Sequence, residues 1–136
     1  MAHSYIEYKE GSSRVHDLDL AIACFVIMRQ ANKFIDHSLD ELFNVWLESI
    51  SFSGAGCIDL RLNEGLDEKK ELELAEFIES SLEELLNYSN FYPKENLKFF
   101  LSKSKINLQS DYRINLIKKT LIEIKEVVEQ IGTYHG

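Results

Sequence analysis

The chain has 136 residues, of which 45% are hydrophobic and 28% charged, with six glycines and one proline. A chain of that length and composition buries a core of its own as one domain, residues 1–136, and is neither disordered nor a loop-rich β chain. The net charge of −8 disfavours nucleic acid and anionic membranes as partners and favours a basic protein.

Two cysteines, Cys24 and Cys57, are too few for a disulfide framework, and Cys24 lies in the most apolar run, where Cys acts as a small hydrophobe. A reducing, cytoplasmic location fits this usage. The stretch Met1-Ala2-His3-Ser4-Tyr5 lacks the pattern of a secretory leader.

In chain order, Tyr5-Ile6-Glu7-Tyr8-Lys9 fits either a short strand or the start of a helix, and Gly11-Ser12-Ser13 breaks it. Residues 18–35 follow. From Leu20 to Met28 there is no polar side chain, and a helix apolar on every side must be covered on every side. The run is shorter than the roughly 20 apolar residues a membrane span needs. It predicts a central, buried helix over 18–35, with Asp17 as its N-cap and Asp19 complementing its dipole.

Ser38 opens a second helix, with Glu41 three residues on completing a capping box. Leu39, Leu42, Phe43, Trp46, Leu47 and Ile50 form its apolar stripe. Ser53-Gly54-Ala55-Gly56 is a turn; the dinucleotide fingerprint needs a third glycine and a strand before it rather than after it. In residues 57–63, Ile58, Leu60 and Leu62 alternate with polar residues, the period of a half-buried strand. Its partner would be residues 4–9 or 98–108; the alternative is an extended loop packed on the helices.

Asp67 caps an acidic helix over about residues 68–88. Leu74, Ala75, Ile78, Leu82, Leu85 and Leu86 point inward, and Glu73, Glu76, Ser80, Glu83, Glu84 and Asn87 outward, with Phe77 at the border. Residues 64–84 hold nine carboxylates and two lysines, a net −7, while the remainder holds 14 carboxylates against 13 basic groups, a net −1. Nearly all the excess charge is therefore in one segment. Pro93 starts a short helix running to about Lys103, with Lys94, Lys98, Lys103 and Lys105 making this the basic part of the chain. The last helix starts at Ser110 or Asp111 and stops at Gly132. Ile114, Ile117, Leu121, Ile124, Val128 and Ile131 form a heptad seam along it.

The fold class predicted is mainly α: about five helices around the central one, with a small β element near 57–63. No catalytic constellation emerges. His16-Asp17 resembles the doublet of metal-dependent HD hydrolases, but Asp36-His37 lies about 30 Å away along an intact helix, and helix-end His-Asp pairs are the simpler reading. Neither the cysteines nor the glutamates show metal-ligand spacing. The expectation is a non-enzymatic protein without metal or cofactor.

The acidic helix is either a solvated face or a docking surface. Phe77, Tyr88, Phe91 and Tyr92 lie beside it in sequence, and interface hot spots favour aromatic anchors. Phe91-Tyr92-Pro93-Lys94-Glu95, following an acidic helix, resembles the Tyr-Tyr-Pro-Lys-Glu stretch of the small helical immunity proteins that neutralise DNase colicins. That resemblance implies an acidic helix and an aromatic pair gripping a basic nuclease, with Phe91 and Tyr92 at the tyrosine positions. Phe91 lacks the hydroxyl, and the central helix has no counterpart in that family. In type the chain is also similar to the immunity proteins of contact-dependent growth inhibition systems. The expected interface is Glu73, Glu76, Phe77, Glu83, Glu84, Phe91 and Tyr92, occluding a basic toxin. The alternative is a structural or regulatory subunit that self-associates, as a homodimer, through the 114–131 seam.

Overall fold

A computed structural model describes residues 3–34, 36–52 and 57–130. These are mostly helical, with two small antiparallel sheets. The first sheet settles the ambiguous N-terminal stretch. Ser4, Ile6 and Tyr8 are buried while Tyr5 and Glu7 are exposed, so β1 (His3–Tyr8) is a half-buried strand. Lys9, with φ 52°, helps close a two-residue turn, and β2 (Gly11–His16) returns in register from Tyr8↔Gly11 to His3↔His16. Gly11 thus opens a strand rather than breaking one.

Helix α1 spans Asp17–Ala31, and every residue from Leu20 to Met28 is buried. It packs against the hairpin and against the helices Asp40–Phe52, Glu68–Leu85 and Ile114–Glu129. The cap is His16 rather than Asp17; Asp17 is the first helical residue, and its carboxylate accepts from the Ser4 hydroxyl. The helix stops at Ala31, short of the predicted Ile35, which lies outside the described residues.

Helix α2 (Asp40–Phe52) buries Leu42, Phe43, Trp46 and Ile50 on one stripe. The predicted Ser38–Glu41 capping box does not form. The Ser38 N–H and hydroxyl both donate to Glu73 on α4 instead, and the Leu39 N–H donates to His37 Nδ1 at 3.1 Å.

Residues 57–63 are not a strand. Residues 57–61 form an irregular loop with Cys57 at φ 67° and Arg61 at φ 48°, and Leu62 already begins a single helical turn, α3 (Leu62–Gly65). The alternation marks burial, since Ile58, Leu60 and Leu62 are all inside, but side chains rather than a ladder satisfy the backbone. The Ile58 N–H donates to Ser4 Oγ at 2.8 Å, the Asp59 N–H to Ser49 Oγ at 2.9 Å, and the Trp46 indole to the Leu60 carbonyl at 2.8 Å. The alternative, a loop packed on the helices, is the one the fold uses.

Helix α4 (Glu68–Leu85) is capped by Asp67, whose Oδ1 accepts from the Lys70 N–H at 2.9 Å. Then β3 (Phe91–Tyr92) pairs with β4 (Tyr112–Arg113) in a second, minimal sheet. Between them lie Pro93, a 3₁₀ turn at Lys94–Leu97 and α5 (Lys98–Ser104). Helix α6 spans Ile114–Glu129, starting later than predicted because residues 112–113 are in the sheet, and Gln130 at φ 60° caps it ahead of Gly132. Ile114, Ile117, Leu121, Ile124 and Val128 are all buried against α1, α4 and the hairpin. The heptad seam is therefore used within the chain and offers no outward face for a symmetric dimer; Ile131 lies outside the described residues. Among the described residues no helix is long and apolar enough to cross a membrane.

Candidate functional site: the outer face of the acidic helix

At 1.5 Å per residue, the 18 residues of α4 make a rod about 27 Å long. Leu74, Phe77, Ile78, Ser81, Glu84 and Leu85 are buried on its inner side. Glu76, Glu79 and Glu83 follow one another at helical spacing on the outer side, all exposed. Leu72 continues that stripe one turn earlier and is 69% exposed; Leu86 continues it just past the helix end and is 81% exposed. The stripe is three carboxylates bracketed by two solvent-facing leucines.

Beside it α4 and α6 enclose a shallow depression of about 380 Å³, lined among others by Ala75, Ser80, Lys125 and Glu129. The Lys125 ammonium lies 2.9 Å from Glu79 and 3.5 Å from Glu129. The Glu79 bond, reinforced by the Glu129 and Glu79 charges, outweighs burial and raises the lysine pKa above its ordinary value. One cation set among Glu76, Glu79, Glu83 and Glu129 leaves the rim negative.

The seven residues expected at the interface divide three ways. Glu76, Glu83 and Phe91 (52% exposed) face solvent. Glu73 is half-buried and engaged: it accepts from the Ser38 N–H at 3.1 Å and from its hydroxyl. Burial works against its charge, but these bonds and nearby Lys69 outweigh it and hold the carboxyl below its ordinary range.

Phe77, Glu84 and Tyr92 are inside, against expectation. Phe77, 4% exposed, sits among Phe34, His37 and Phe43, with ring centroids at 5.3, 5.2 and 6.5 Å. The Glu84 carboxylate accepts from the Arg29 guanidinium, the Gln30 amide and the Tyr92 hydroxyl. Tyr92 is fully buried, its ring edge-on to Tyr88 at 5.2 Å. Burial, then the Glu84 charge, pushes the Tyr92 pKa up. Burial disfavours the Arg29 charge as well, yet Tyr92 and Glu84 outweigh it and raise that pKa. This buried polar knot joins α1, α4 and β3 and removes Glu84 and Tyr92 from any surface a partner touches, as the ring cluster removes Phe77.

Sequence reasoning missed Leu72, Glu79, Leu86 and Lys125. The signal for Leu72 and Glu79 was present, because both fall on the Glu76–Glu83 stripe. Helical phase points Leu86 inward, but it is the C-cap residue of α4 and is exposed. At the other candidate, the His16 ring packs on His3 with centroids 4.3 Å apart, and Asp17 is engaged by Ser4. Among the described residues no group of three or more His, Cys, Asp or Glu side chains is arranged to hold a metal ion. Comparison of the chain with known protein families, curated proteins and solved structures gives no match.

Proposed function

We propose that this chain is a protein-binding inhibitor, most specifically a cytoplasmic immunity protein that covers a basic, nuclease-type bacterial toxin. One observation carries the reading: most of the excess negative charge of the chain is gathered on one helix, and three of its exposed carboxylates form a stripe with leucines at both ends, Leu72-Glu76-Glu79-Glu83-Leu86. Carboxylates spaced along a rigid helix stand in for the phosphates a nuclease grips, and they speed encounter with a basic surface. The burial of Phe77 and Tyr92 changes the anchors: Leu72, Leu86 and Phe91 are the apolar groups left to be desolvated. Of the aromatic pair in the immunity-like stretch, Tyr92 serves the fold and Phe91 serves the surface. The self-associating subunit built on the 114–131 seam has no such support, since Ile114, Ile117, Leu121, Ile124 and Val128 are interior.

The test starts with capture of a basic protein from the source cell at low and at high salt, identified by mass spectrometry and purified. Its activity is then titrated with the wild-type chain and with the Glu76→Lys, Glu79→Lys, Glu83→Lys triple variant. Wild type should inhibit at one equivalent. The variant should bind at least about a hundredfold more weakly, as like-charge contact costs several kcal/mol and each 1.4 kcal/mol is tenfold. Undiminished inhibition by a folded triple variant would remove the mechanism.

A further inference from the structure

The surface formed by the ends of α2 and α5 is the electrostatic opposite of the α4 stripe. The Ser51 hydroxyl lies 3.4 Å from the Lys103 carbonyl, which brings the end of α2 beside the end of α5. Phe52 at the end of α2 is 81% exposed and Phe99 on α5 is 59% exposed. Phe99 is firmly mounted: its ring meets Phe100 edge-on at 5.3 Å, and Phe100 stacks on Phe25 of α1 at 5.5 Å. The Lys103 ammonium sits 5.6 Å from the Phe99 ring centroid. Lys98, Lys103 and Lys105 are all exposed. Residues 94–105 hold four lysines against one carboxylate, Glu95, a net +3 in a chain of net −8. Lys94 is the one turned to the fold, donating to the Leu108 and Gln109 carbonyls at 3.3 Å.

We propose that this cationic, aromatic face docks the acidic α4 stripe of a second copy of the chain. Complementarity is what selects that occupant. Lys103 beside Phe99, with Lys105 and Phe52 at the adjoining ends of α5 and α2, meets Glu76, Glu79 and Glu83 between Leu72 and Leu86 on the other copy. The two faces are different surfaces of one molecule: α5 packs on α2, and α4 packs on α1 and α6. The contact is therefore head-to-tail and adds copies one after another, into an open chain or a closed ring according to the rotation between neighbours. One helix face a side is small against the roughly 1,200–2,000 Å² of a stable interface, so the association is weak. Exposed charges also make it salt-sensitive, with a screening length of about 10 Å at 0.1 M and about 3 Å at 1 M. Self-association uses the same stripe as the proposed inhibitor but a different partner, so a tightly bound basic partner displaces the second copy.

The test is sedimentation velocity of the full chain over a concentration series, at about 20 mM and about 500 mM salt. At low salt the weight-average sedimentation coefficient should rise with concentration, and at high salt the rise should vanish. Two folded variants separate the faces by neutralising them: Lys103→Ala with Lys105→Ala, and Glu76→Gln with Glu83→Gln. Each should remain monomeric alone, having lost one of its two faces. Mixed, they should form a one-to-one dimer and nothing larger, because each lends the face the other lacks. A wild-type chain that stays monomeric at low salt, a lysine variant that still associates, or a mixture that does not pair would each overturn the proposal. The lysine variant keeps its α4 stripe and should bind a basic partner as wild type does. Loss of self-association with partner binding intact thus belongs to this inference, and loss of partner binding in the stripe variant to the reading above.

Discussion

Glu83 and Glu84 are neighbours with the same side chain and opposite situations. Glu83 is exposed on the stripe, whereas Glu84 is 9% exposed and accepts from Arg29, Gln30 and Tyr92. Glu84→Ala strands three donors at once. Removing one partner of a buried ion pair costs about 3–5 kcal/mol. The Arg29 side chain is 30% exposed, so water recovers part of that, and about 2–4 kcal/mol remains. Against a total stability of about 5–15 kcal/mol, that is a large fraction. Glu83→Ala should stay within about 0.5 kcal/mol of wild type. Trp46, the single tryptophan and fully buried, reports unfolding by fluorescence in urea. With a slope of about 2 kcal/mol per molar, Glu84→Ala should lower the midpoint by about 1–2 M. Equal shifts for the two alanine variants would refute the buried knot. A further check is the double replacement Arg29→Met, Glu84→Leu: removing both charges together should cost much less than Glu84→Ala, because no unpaired charge is left inside.

Leu121→Ala on the seam of α6 should cost about 2–5 kcal/mol in the same assay, as a cavity in a fully buried layer; unchanged stability would put the seam outside the core. Tyr8, Tyr92 and Tyr112 are held above the ordinary value of 10.0, first by burial and then by Glu71, Glu84 and Asp19 respectively. In the unfolded chain they lose their protons near that value but in the fold they keep them, so stability should fall as pH rises above 10. Alkaline titration of tyrosine absorbance should show these three of the six tyrosines ionising only as the chain unfolds; six ordinary titrations would contradict their burial. Glu73 has the opposite sign. Its folded pKa lies below the ordinary 4.5, so its contribution is complete above that value and is lost as pH falls through the lowered one. Glu73→Gln should lower stability at pH 7 and bring wild type and variant together in acid; a gap that persists in acid would mean the carboxylate charge is not what holds Ser38.

What was legible in the sequence was local and periodic. The unbroken apolar run of α1, the stripes of α2 and α4, the Asp67 cap and the seam of α6 each follow from side-chain spacing, and all are present with ends shifted by a few residues. What escaped was whatever depends on a distant partner. Nothing near Ser38 announces that it bonds Glu73 rather than Glu41. The period-two burial of Ile58, Leu60 and Leu62 reads as a strand because periodicity reports which side is buried, not what satisfies the backbone. Here Ser4, Ser49 and Trp46 do that work. The hairpin at 3–16 was ambiguous because its alternation is short and its turn, Lys9-Glu10, carries none of the usual turn residues.

The candidate site was half legible for the same reason. Helical phase separates the outer Glu76, Glu79 and Glu83 from the inner Leu74 and Ile78, but it cannot say how wide the covered arc is. That width is set by neighbours. The ring cluster of Phe34, His37 and Phe43 extends the cover over Phe77, and Arg29 and Gln30 extend it over Glu84. A carboxylate on a rod-like acidic helix is a docking group only where no such cation or amide reaches it. By that criterion the stripe leaves Glu76 and Glu83 free to dock, while Glu79 is already held by a cation. Lys125, bonded to Glu79, is then the group a basic partner has to displace. Lys125→Ala should therefore tighten the grip of any cationic partner while leaving the core untouched. Weaker binding on that substitution would move the contact off the α4–α6 edge.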